Sequence, residues 1–241
     1  MRLKTFRQEI EMISKTDLSE IYEPSLFTTC SGSFSLVERD KGATMKGASF
    51  VLDGAQFIVC TESIWSQSMN LYVKESQDFK FKKKCDGFVI CNHQDKHFLI
   101  WIELKSGFNQ VFNEAIYQIA SCYVKMKSYL RNLSAYHLED FIELGIVVSH
   151  PDSYVSKSIL ENQQIYVRHQ QLVNQNESAT DKCRRRYRNT NKIELTGNDF
   201  GADKLHLADE IMLHKLPVIS VQSNEENPTF DLLPIISEVL T

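Results

Sequence analysis

The chain has no apolar run long enough to cross a bilayer. Its longest unbroken aliphatic and aromatic stretch is Phe98 to Ile102, whereas a spanning helix needs ~18 or more apolar residues. A secretory apolar segment is missing too, because the opening Met1-Arg2-Leu3-Lys4-Thr5-Phe6-Arg7 turns charged again at Glu9 and Glu11. A soluble protein without a membrane partner, cytoplasmic in location, is expected. No Cys-x-x-Cys pair occurs among the cysteines at 30, 60, 85, 91, 122 and 183. In a chain without a secretion signal they are expected to be reduced core thiols. Cys91-Asn92-His93 followed by His97 has no second ligand pair for a structural zinc and reads as a polar turn. His93, His97 and His150 sit beside turn signals and are expected at the surface. Gly-x-Ser-x-Gly, Walker and Gly-x-Gly-x-x-Gly motifs are all missing, so the common hydrolase, nucleotide and dinucleotide readings find less support.

What remains is an ordinary globular composition, 42% apolar and 24% charged over 241 residues. The formal charge of −4 argues against coating bulk nucleic acid, though not against a local basic groove. Two basic runs supply candidates for one. Lys80, Lys82, Lys83 and Lys84 alternate with Phe79 and Phe81, and Lys182, Arg184, Arg185, Arg186 and Arg188 surround Tyr187. They hold 9 of the 27 basic residues, leaving the rest of the chain acidic. Concentrated basic patches on an acidic molecule suit phosphate binding; otherwise such runs are solvated faces.

The helical spacing of Leu3, Phe6, Ile10 and Ile13 predicts a first helix. Ser31 to Gly47 reads as loops or short strands, and Ala55–Cys60 and Met69–Val73 read as strands. Phe88–Cys91 and Phe98–Leu104 form two β-type runs around the polar passage Asn92–Lys96, a hairpin. The second run is apolar on both parities, as in a central strand covered on both faces. Asn109–Leu130 reads as one helix, capped by Asn109 or Ser106, with Phe112, Ile116, Ile119, Ala120, Tyr123 and Met126 on its buried stripe and Lys125 and Lys127 on or near its flanks. Phe141–Val148 is a further strand. Beyond Pro151 come an Asn/Gln-rich passage at 161–176, a probable strand Val218–Val221, and a terminal helix carrying Leu232, Leu233, Ile235, Ile236 and Leu240. The order predicts an α/β fold, a central mixed sheet flanked by helices. One domain, 1–241, is expected, with a core at about 55–150 and a C-terminal elaboration over 151–241.

Three residues of the legible centre carry chemistry. Asp86 opens the first hairpin strand, while Glu103 and Lys105 close the second. Side chains two apart on a strand share a face, and hairpin pairing brings the start of one strand beside the end of the other. Two carboxylates and a lysine should therefore converge at one end of a buried sheet. Such charge is costly unless paired or metal-bound, and carboxylate oxygens suit Mg²⁺ or Mn²⁺.

Asp86, a gap, then Glu103-Leu104-Lys105 resembles the motif of the PD-(D/E)xK nuclease superfamily, over roughly residues 80–150. The first half reads Cys85-Asp86 in place of Pro-Asp. The resemblance implies a restriction-endonuclease-like core running helix, three strands, helix, strand. It implies metal ligation by Asp86, Glu103 and the carbonyl of Leu104, and service to the attacking water by Lys105. Some members carry a helical Gln followed four residues later by Tyr. Here Gln118 is followed by Cys122 at that offset and by Tyr123 one further on, and Gln118 either reaches the site or borders the core. A further acid from the first helix, Glu9 or Glu11, fits the same pattern.

The function expected from this resemblance is an Mg²⁺-dependent deoxyribonuclease, with Mn²⁺ as a substitute, serving defence or restriction. DNA is the expected partner, RNA stays open, and a second copy or a partner protein of a larger system is compatible. The alternative from another class is a non-catalytic nucleic-acid or protein-binding module on a degenerate nuclease fold.

Overall fold

A computed structural model describes residues 13–60, 82–134, 136–151, 191–199 and 207–240. The expected helix over Leu3–Ile10, the strand Met69–Val73, the passage 161–176, Lys80, the run Lys182–Arg188, and the side chain of Phe112 lie outside the described residues. So do Glu9 and Glu11.

The chain is an α/β protein built on one eight-stranded mixed sheet, not closed into a barrel, with three α-helices among the described residues. Helix α1 (Lys15–Ile21) starts at a capping box, Ser14 and Asp17 exchanging side-chain and backbone bonds. Strands β1 (Phe27–Val37), β2 (Gly47–Cys60), β3 (Gly87–His93) and β4 (Lys96–Lys105) then run antiparallel to one another in order. Helix α2 (Phe108–Leu130) crosses back so that β5 (Phe141–Ser149) pairs parallel with β4. Strand β6 (Lys192–Leu195) forms the far edge, and β7 (Leu216–Gln222) lies between it and β5, parallel to β5. Strand β8 (Thr229–Asp231) pairs parallel with β2 before helix α3 (Leu232–Leu240).

Several expectations need correction. Within Ser31–Gly47, β1 runs on to Val37 as a strand of eleven residues, longer than the short strands expected, while 38–46 form the loop before β2. The hairpin turn is tighter than Asn92–Lys96: β3 extends to His93, β4 begins at Lys96, and Gln94 and Asp95 turn with φ of 48° and 58°. Both residues sit in the left-handed region that two-residue hairpins require, here without glycine. Helix α2 has Gly107 as its N-cap, with no side-chain cap bond. Ser106 instead accepts the Thr44 amide at 2.7 Å.

The sheet separates two cores. Alternation along β4 sends Leu99 and Trp101 to the side of α2, where they meet Ile116, Ile119, Ala120, Tyr123 and Met126. Phe98, Ile100, Ile102 and Leu104 point to the other side, with Leu232, Ile235 and Ile236 of α3. Strand β4 is therefore central and covered on both faces, as its double apolar parity predicts. Lys125 and Lys127 are not on the flanks of α2; both are buried. His97 and His150 are buried as well, not superficial. His97 Nδ1 lies 2.9 Å from Asn92 Oδ1, and His150 Nδ1 lies 2.7 Å from the Ser223 carbonyl, so one ring nitrogen of each has a partner.

Candidate active site

Glu103 and Lys105 share the parity of Trp101, so both project to the α2 side at the C-terminal end of β4. In an open sheet this is where parallel strands leave room for a ligand. Hairpin register ends at Gly87 opposite Ile102, which brings Asp86 alongside the Glu103–Leu104 step. Asp86 Oδ2 accepts the Leu104 amide at 2.7 Å. In an extended strand the N–H and C=O of one residue face the same edge, so the Leu104 carbonyl is directed toward the Asp86 side. Gly87 keeps this junction tight: a methyl group there would lie 2.5 Å from Leu36 Cδ1.

Glu103 is fully buried, and Lys105 Nζ lies 2.6 Å from its Oε1. Oε2 has no hydrogen-bond partner among the described residues. Burial pushes the Glu103 carboxyl well above the usual carboxylate range, and the negative charge of Asp86 pushes the same way; Lys105 opposes both. Burial alone would lower the Lys105 amine. Glu103, with Asp86 and Glu114 behind it, outweighs that and holds the amine above its ordinary value. Among the described residues, two carboxylates crowd the Lys105 ammonium, and their sum is negative.

A divalent cation fits this surplus. Asp86 and Glu103 offer hard oxygens, Glu103 has a buried oxygen without a donor, and the Leu104 carbonyl faces the same edge. Among the described residues no group of three or more His, Cys, Asp and Glu side chains is placed to hold a metal. The protein would thus give two carboxylates and a carbonyl, with waters making up the rest.

Gln118 does not reach the carboxylates; its Nε2 donates to the Lys84 carbonyl at 2.7 Å. Of the first basic run, Lys83 is tied to Glu114 at 2.7 Å, with about two-fifths of each side chain exposed. The Lys83 bond holds the Glu114 carboxyl below its usual value against partial burial, and Lys105 adds to the effect. Lys82 is exposed, and Lys84 is half-buried beside the clasp of Gln118 on its carbonyl.

Sequence reasoning missed Glu114 and Ser149. Glu114 lies on α2, within electrostatic reach of Lys105. Ser149 pairs with Lys105 across β4 and β5 and is fully buried, and its hydroxyl has no partner among the described residues. For Glu114 only the helical period offered a signal; for Ser149, a polar residue closing an apolar strand did. Compared with family models, curated proteins and solved structures, the chain matches none.

Proposed function

We propose that this protein is a metal-dependent phosphodiesterase of the PD-(D/E)xK type, acting on DNA. The observation that carries it is the buried Glu103 carboxylate, one oxygen without a donor, crowded by Asp86 and countered by Lys105. Burying such a group is costly unless another positive charge completes the site. The element order supports the restriction-endonuclease-like core: α1, then strands that include the β2–β3–β4 meander, then α2 and β5.

Asp86, Glu103 and the Leu104 carbonyl would hold Mg²⁺ or Mn²⁺. When bound, such an ion supplies Lewis-acid stabilisation of charge on a phosphoryl oxygen. Lys105 stays protonated beside Glu103, so it acts as a hydrogen-bond donor and not as a base. It orients the attacking water or neutralises charge developing on the phosphate. Hydrolysis adds that water across a P–O bond, one fragment leaving with the phosphate and the other with a hydroxyl. Lys82 and the arginine run 184–188 are the candidates for backbone phosphate contact. RNA as substrate and a role in defence or restriction follow from the same assignment only as extensions.

The experiment is cleavage of linear, circular and single-stranded DNA, and of RNA, with Mg²⁺ or Mn²⁺, for the wild type and Lys105→Ala. Metal-dependent cleavage lost in the variant is expected. Wild-type-like cleavage by Lys105→Ala would remove Lys105 from the mechanism. One observation favours a non-catalytic binding module: only two candidate carboxylate ligands converge among the described residues. Inactivity of the wild type on every nucleic acid, with binding retained, would select that alternative.

A further inference from the structure

Residues 82–86 precede β3 and belong to no strand, so their backbone groups need partners from elsewhere. A single stripe of α2 provides them for the Lys83 and Lys84 carbonyls and the Cys85 amide. Gln118 Nε2 donates to the Lys84 carbonyl at 2.7 Å, Ser121 Oγ to the Lys83 carbonyl at 2.9 Å, and Lys125 Nζ to that same carbonyl at 2.8 Å. Cys122 Sγ accepts the Cys85 amide at 2.9 Å. Offsets of three, four and seven residues from Gln118 put all four side chains on one helical face. Glu114, four residues before Gln118, holds the Lys83 side chain. The helix thus fixes three consecutive residues, and the next one is Asp86.

Lys125 stands out in this stripe. It is almost wholly buried, and a charged donor on a carbonyl makes a stronger bond than a neutral one. A buried ammonium costs free energy unless it is hydrogen-bonded, and the Lys83 carbonyl supplies one such bond at 2.8 Å. We propose that Lys125 is a positioning residue for Asp86: by anchoring the Lys83 carbonyl it sets where the chain enters β3, and so keeps the Asp86 carboxylate on the Leu104 amide and beside Glu103. This rests on the nuclease reading for its purpose, but not for its test.

The test compares Lys125→Met, Lys125→Arg and Ser121→Ala with the wild type. Lys127→Met, which removes a second buried lysine of the same helix, serves as the control. The first readout is the backbone amide resonance of Leu104 and its hydrogen exchange in metal-free protein, which report the Asp86–Leu104 bond directly. The second is Mn²⁺ affinity by calorimetry. Lys125→Met should shift the Leu104 amide and speed its exchange, and should weaken Mn²⁺ by roughly 10–100-fold, the usual cost of removing an outer support. Lys125→Arg should restore much of both. Lys127→Met should lower stability without moving the Leu104 amide. If Lys125→Met does not fold, Ser121→Ala should give the same changes in weaker form. An unmoved Leu104 amide in folded Lys125→Met, or in Ser121→Ala where only that variant folds, would overturn the proposal. A wild type that binds no Mn²⁺ would instead sink the metal site, while the Leu104 amide still decides the role of Lys125.

Discussion

Lys127 meets Glu143 at 2.6 Å, and Lys105 meets Glu103 at 2.6 Å, both pairs on the face of the sheet covered by α2. Glu143, the third residue of β5, lies opposite Leu99 of β4, and Glu103 lies four residues further along the same parallel direction, roughly 13 Å away at the usual strand rise. At the first pair every oxygen is used: Glu143 Oε1 takes Lys127 and Oε2 accepts the Tyr123 hydroxyl at 2.8 Å. The Lys127 ammonium also lies 5.2 Å from the centre of the Tyr123 ring and 5.9 Å from that of Tyr136. Burial lowers the Lys127 amine, and Glu143 partly restores it. One positive charge meets one negative charge, and the cluster is closed. At the second pair Asp86 adds a negative charge, and Glu103 Oε2 has no donor among the described residues. Equal distances thus hide different electrostatics: one pair ties a helix to a sheet, and the other carries the second carboxylate on which the proposed cation site depends.

The largest effect should fall on catalysis, and only at the open pair. Asp86→Asn or Glu103→Gln should reduce metal-dependent DNA cleavage by roughly 10²–10³-fold or more and weaken Mg²⁺ binding in calorimetry. Folded Glu143→Gln should cleave as the wild type does. An equal loss from Glu143→Gln would break the comparison.

Stability should respond in the reverse order. Removing one partner of a closed buried pair strands the other charge, so Lys127→Met should cost about 3–5 kcal/mol in denaturant unfolding. Glu103→Gln removes repulsion from Asp86 while Lys105 keeps a negative neighbour, and should cost less than about 1 kcal/mol. Comparable losses for the two would show that the Glu103 site is structural.

Packing between the pairs offers a scale for both. Ile116 is fully buried against the sheet, and Ile116→Ala should cost about 2–5 kcal/mol. An unmoved unfolding midpoint would mean that α2 is not docked on this face. The smallest change should come from Lys83→Ala. Its pair with Glu114 is half-exposed, worth about 0.2–1 kcal/mol. If Lys83 turns to phosphate when DNA binds, the slope of log affinity against log salt should fall by about 1.

Much of the centre was legible because its signals are local. The double apolar parity of Phe98–Leu104 marks a central strand, and the three- and four-residue spacing of Ile116, Ile119, Ala120, Tyr123 and Met126 marks α2. Asp86, Glu103 and Lys105 follow from hairpin pairing alone. Strand β1 was hard to see because its residues are mostly Ser, Thr and Gly, with only Phe27, Phe34 and Leu36 buried. The cap expected of Ser106 fails because its hydroxyl is engaged by Thr44, 62 residues away in sequence.

The sequence by itself determined the order of the central elements, their buried faces, and the strand ends at which the three charged residues stand. Those depend on periodicity within a short window and on the pairing of neighbouring strands. Only the tertiary structure decided which charges are satisfied. Lys125 and Lys127 read as flanking lysines until the fold brings each a partner, the Lys83 carbonyl 42 residues away and Glu143 16 residues away. The same folding leaves Glu103 Oε2 without a donor among the described residues. A side chain's burial and its bonds depend on what the sheet register and the α2 crossover set beside it, and no local pattern encodes that neighbour.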